Sequence, residues 1–171
     1  MQSLIEELDR HVAAERPGLY ATLRPGADAA GFDALQALLP APVPPLFQAL
    51  YGWRDGQIEE TRERFWDVWF LLPLEEVRNC KDMLDGMIGH DFDRPDWWCR
   101  GWVPFLGNRN GDHVCLDLTA ETGGEPGQLL TFWHDWEDRS MTSFDLEWWV
   151  HSLIRPHDIL ASLRRASKRP G

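Results

Sequence analysis

Apolar residues recur along this chain first at helical and then at strand spacing. Leu4, Leu8 and Val12 form one stripe behind Ser3 and Glu6, which are spaced as a capping box, and this predicts a helix over Ser3–Glu15. Pro17, Gly18, Pro25 and Gly26 break the chain after it. "GFDALQALLP" is a short helical pattern stopped by Pro40. Pro44 or Pro45 opens another, with Leu46, Phe47, Leu50 and Tyr51 on one face and Gly52 at its end. In "RFWDVWFLL" the period becomes two. Trp66, Val68, Phe70 and Leu72 fall on one side of a predicted strand over Phe65–Leu72. Pro73 then opens a helix with Glu75 and Glu76 in its first turn and Val77, Cys80, Leu84 and Met87 on its apolar face, running until Gly89.

Beyond the acidic, aromatic loop "HDFDRPDWWCR", strand spacing returns. Trp102–Leu106 and His113–Leu118 are predicted strands joined through Asn110-Gly111, a pair that adopts positive φ cheaply. Val114, Leu116 and Leu118 face one way and His113, Cys115 and Asp117 the other. Trp102, at the start of its strand, is expected in the core, and Asp117 is expected to pair with a backbone or basic group. "ETGGEPG" is a turn, and Gln128–His134 is a third strand with Leu130 and Phe132 opposite Leu129 and Trp133. Thr142 is placed to cap a helix whose stripe is Leu146, Trp149, Val150 and Leu153; Pro156 ends it and "HDILASLRRASK" forms a last helix. Helices, a strand, a helix, three strands and helices make an α+β fold: a small central, mostly antiparallel sheet of about four to six strands flanked by helices.

Composition changes this picture in several ways. The 171 residues fit one domain, taken as 1–160, with a basic C-terminal tail at 161–171. Ten Trp exceed what a small core needs, so some are expected at the surface. The net charge is −11, and removing the tail's Arg164, Arg165, Lys168 and Arg169 leaves −15 on the rest. Such a body repels nucleic acid and anionic membranes and steers toward a basic partner. Cys80, Cys99 and Cys115 are odd in number and widely spaced, which suits a reducing compartment and argues against a disulfide framework. The amphipathic, acidic N-terminus is unlike a signal peptide, and no apolar run approaches membrane-spanning length, so the expectation is a cytoplasmic protein.

The chemistry-bearing residues are dense but poorly organised for catalysis. No phosphate-binding glycine motif occurs, and "GNRNG" joins two strands. His113, Cys115 and Asp117 share a strand face, with His134 nearby, but an H-x-C pair is weak evidence for a metal, and no metal or cofactor is expected. Cys99 or Cys115 with His113 or His134 would make a nucleophile and base, yet Cys115 lies among apolar residues where thiols act as small hydrophobes. Ser143 and Ser152 show no nucleophile-elbow pattern. What stands out is acid beside Trp. Asp91, Asp93 and Asp96 adjoin Trp97 and Trp98, and Asp135, Glu137 and Asp138 adjoin Trp136. These nine are the candidate partner-binding residues, since aromatic anchors ringed by steering charge suit a protein interface.

The order of motifs resembles the Smi/Knr type of the SUKH superfamily. The resemblance rests on Leu39-Pro40, Tyr51-Gly52, the W-x-P-F strand of Trp102, Pro104 and Phe105, Gly111-Asp112, the C-L-D-L strand Cys115–Leu118, Gly127-Gln128 and Ser143-Phe144, and it covers Phe32 to Leu153. It implies an α+β fold around an antiparallel sheet and a non-enzymatic role. Bacterial members are mostly immunity proteins that bind and neutralise a toxin, often a nuclease; fungal members regulate cell-wall synthesis as interaction hubs. The expectation is therefore an immunity protein binding a cognate, basic protein toxin. The alternatives are a regulatory scaffold of the cell-wall-regulator type and a metal- or ligand-dependent enzyme.

Overall fold

The structure is a computed structural model that describes residues 2–92, 94 and 96–155. The basic tail and the expected last helix lie outside the described residues, as does Asp93.

The helical patterns fold much as their spacing predicts. α1 spans Gln2–Glu15, α2 Pro17–Tyr20, α3 Ala29–Gln36, α4 Pro45–Trp53, α5 Leu74–Gly86 and α6 Leu146–Ile154. Asp28 caps α3 by accepting from the Gly31 amide at 2.9 Å. The strands β1 Phe70–Leu71, β2 Trp102–Gly107, β3 His113–Asp117, β4 Leu129–Phe132 and β5 Met141–Ser143 form one antiparallel sheet in the order β1-β2-β3-β4-β5. The β2–β3 turn is closed by the Asn108 side chain, whose Oδ1 accepts from the amides of Asn110 and Asp112, while Arg109 and Gly111 adopt φ of 66° and 93°.

Two expectations fail locally. The aromatic strand over Phe65–Leu72 is mostly a tight reversal: the Phe65 amide donates to the Trp69 carbonyl, the Trp69 amide to the Trp66 carbonyl, and Asp67 turns at φ 49°. Folding back lets Phe65 pack against Trp149 and Trp69 against Trp133, and it leaves Val68 exposed. Thr142 is not a helix cap, because Met141–Ser143 pairs with β4; Asp145 caps α6, accepting from the Trp148 amide at 2.6 Å. That short polar strand has too few residues to show an alternation.

From β1 to β4 the sheet is buried on both faces. Val103, Phe105, Leu106, Val114, Leu116 and Leu129 join the main core with α1, α4 and α6. A bulge between Pro104 and Leu106 helps place Phe105 there, edge-on to Trp149. The opposite face holds a second cluster in which Trp102, Cys115, Leu130 and Phe132 pack with Trp98, Cys99 and Leu84 of α5. The alternation on β3 thus separates two cores rather than core from solvent, which corrects the usual meaning of a two-residue period in an antiparallel sheet.

Candidate partner-binding surface

The two acidic, aromatic loops converge over the β4–β5 end of the sheet. Arg94 reaches from the first to the second, with Nη1 at 2.5 Å from Glu137 Oε2, while its Nε and Nη2 hold Asp96 at 3.0 and 2.7 Å. Arg139 makes the reverse clamp. It donates to the Trp97 carbonyl from Nε and Nη2 at 3.2 and 2.9 Å, and from Nη1 to the carbonyls of Trp136 and Asp138. Its guanidinium lies 4.8 Å from the Trp97 ring centre and 4.6 Å from that of Phe132, so it also stacks the first loop onto the second core.

The nine predicted residues separate on this frame. Asp96, Trp97, Trp136, Glu137 and Asp138 are joined by the two clamps, Trp97 half-buried and Trp136 the most exposed ring at 65%. Asp91 and Asp135 are exposed, and among the described residues no cation is within ion-pair distance of Asp91, Asp135 or Asp138. Trp98 is the correction: it is 2% exposed, edge-on to Trp102 and Phe132, with its indole N–H donating to Asp85 Oδ1 at 2.8 Å. It is a core ring and anchors the loop from beneath, because the chain enters the second core between Trp97 and Cys99. Beside the clamps lies an open groove of about 740 Å³ lined by Asp96, Cys99, Glu121, Glu137, Arg139 and Met141. Sequence reading missed Glu121 and Met141, since neither sits in an acid–Trp run, and Arg139, which sits in one but as a cation among acids.

The catalytic and metal readings find a different geometry. His113 is buried, and burial pushes it down to about 4. Burial also raises the thiols, Cys80 and Cys99 to about 11 and Cys115 well above its ordinary range, so none is poised as a thiolate nucleophile. Among the described residues the convergent His and carboxylate group is Asp112, His134 and Asp135 rather than the β3 face. There His134 Nδ1 already bonds Asp112 Oδ1 at 2.8 Å. That contact raises the His134 pKa. For Asp112, burial pushes upward, but hydrogen bonds from the His134 amide and ring and from Asn108 prevail and hold its carboxyl low.

A family model described as SMI1 / KNR4 family (SUKH-1) matches residues 26–148. The chain belongs to the SMI1/KNR4 family. The matched span contains α3 to β5, the start of α6, and the whole of both clamped loops, so the candidate surface lies inside the SMI1/KNR4 domain. No curated protein matches the chain. Among the described residues no helix is long and apolar enough to cross a membrane.

Proposed function

We propose that this SMI1/KNR4-family chain is a non-enzymatic immunity protein that acts in the cytoplasm and neutralises a basic protein toxin, a nuclease in the first instance, by covering it with the clamped acidic surface. The observation that carries this reading is the exposed Trp136 held among carboxylates whose nearby cations, Arg94 and Arg139, are consumed internally. An aromatic anchor on a fixed frame suits tight binding, because little ordering remains to be done on association. The unpaired carboxylates supply long-range attraction to a cationic nuclease surface.

Co-expression with the toxic product of an adjacent gene tests this directly: growth is restored and the two proteins co-purify. In purified form, neutralising Asp91, Asp135 and Asp138 together slows association and flattens its salt dependence, whereas Trp136→Ala speeds dissociation by about 2 kcal/mol or more. Continued toxicity without a complex removes the immunity role. Recovery instead of several modest partners, none neutralised, supports the scaffold reading that family membership also accommodates.

A further inference from the structure

The two outer edges of the sheet are treated differently. At β1 the edge is closed by buried Gln57, whose amide donates to the Leu71 carbonyl and whose side-chain Oε1 accepts from the Leu71 amide, both at 3.0 Å. At β5 nothing equivalent is present among the described residues. Leu130 stands opposite Met141, and the Thr131 amide donates to the Ser140 carbonyl at 3.0 Å. This makes Leu130–Met141 a non-hydrogen-bonded pair, so the N–H and C=O of Met141 point away from β4. Met141 on this edge, Trp136 in the loop before it and Phe144 just after it are three of the six exposed large apolar side chains among the described residues. An unpaired strand edge flanked by exposed apolar residues is a template for another strand.

We propose that the edge at Met141 seats a basic, extended segment of the protein partner, which adds to the sheet as a sixth strand. This rests on the reading of a basic partner given above and names where and how it is held. Charge selects the occupant. Residues 135–147 contain Asp135, Glu137, Asp138, Asp145 and Glu147 against Arg139, which is committed to carbonyls. Side chains of an added strand alternate in direction. Those on the Met141 side enter the groove beside Glu121, Glu137 and Asp96; Arg94 already bonds the latter two, but with Arg139 the three acids still outnumber the cations, so Lys or Arg at every second position is complementary. A second copy of this chain would instead bring the same acids face to face, which is unfavourable in a cross-strand pair.

The probe is a blocked peptide of about six residues, the common strand length, alternating Lys and Thr, with a Glu/Thr peptide as control. The Lys peptide binds the full chain, and the Met141 amide becomes protected from hydrogen exchange. Met141→Pro removes only an outward N–H, a position where an edge strand tolerates proline, so the fold is retained while binding weakens about tenfold or more. Met141→Lys, which places a cation on the edge and keeps its backbone donor, gives the same loss if the proline variant is unstable. Failure of the Lys peptide to bind overturns the proposal, as does equal binding by both variants, by the Glu peptide, or without protection at Met141. A wild-type dimer abolished by Met141→Pro assigns the edge to a second copy and also overturns it. A toxin neutralised equally well by the variants sinks the strand docking while the immunity role stands. Peptide binding at the edge of a chain that protects against no toxin does the reverse.

Discussion

Asp117 has none of its surface exposed, yet its carboxylate is fully used. Oδ1 accepts from the Thr119 and Ala120 amides at 3.0 and 2.9 Å, and Oδ2 from Gln128 Nε2 at 3.1 Å. It ties the end of β3 to the start of β4. Asp117→Ala strands three donors, the buried Gln128 amide and the half-buried Thr119 and Ala120 amides, and should cost about 2–4 kcal/mol in urea unfolding, while Asp117→Asn keeps an acceptor and costs less. Equal losses from the two would show that the carboxylate's bonds are not what holds the turn. His113, two strand positions before Cys115 on the same face, sets an acid limit. Its folded pKa of about 4 lies below the ordinary 6.5, so the unfolded chain binds a proton first as pH falls. Stability should therefore drop from about pH 6.5 toward pH 4 at close to 1.4 kcal/mol per unit, about 3 kcal/mol in all. His134 acts oppositely: its pKa is raised by Asp112, so its contribution is complete below 6.5 and fades as pH rises through its folded value. The difference between wild type and His113→Leu isolates the first effect, and a pH-independent difference would refute it.

At the scale of elements, α5 supports the candidate surface through a buried ion pair. Lys81 is fully buried and bonds Asp85 one turn on, and Asp85 also receives the Trp98 indole and has Arg100 at 3.6 Å. Burial lowers the Lys81 pKa, and the Asp85 contact opposes that shift. Removing one member leaves the other uncompensated, so Asp85→Ala should cost about 3–5 kcal/mol, whereas joint replacement of Lys81 by Met and Asp85 by Leu should recover much of it. A double-mutant cycle by chemical denaturation checks this; simple additivity would deny the coupling. Because Asp85 also holds Trp98, the single variant should loosen the Asp96–Trp97 loop, read as faster amide exchange there.

For the whole molecule, the main core runs from Leu4 of α1 to Ile154 of α6 and the second core lies on the opposite face of the same sheet, so the two share β2, β3 and β4. Unfolding should then be one cooperative transition, with near-UV and far-UV signals coincident. Trp102, completely buried in the second core, should shift that single transition by about 3–5 kcal/mol when changed to Ala. Two separated transitions would divide the chain into more than the one domain proposed for 1–160.

Local periodicity was enough to determine α1, α4, α5 and α6 and the antiparallel β2–β3–β4 meander, because stripes, prolines and the Asn110-Gly111 turn act over a few residues. The motif order was enough to identify the family, since it records those elements in sequence. Only the tertiary structure decided which of the adjacent Trp97 and Trp98 is buried, since that depends on α5 and β4 lying beneath the loop. It alone joined Arg94 to Glu137 and Arg139 to Trp97, pairs more than forty positions apart. It alone left Met141 on the last strand of the sheet among the described residues, because whether a strand is the last in a sheet is a property of what packs beside it. Chain-local patterns carry the energetics of turns and faces; a binding surface is assembled from long-range neighbours, and those are set by packing.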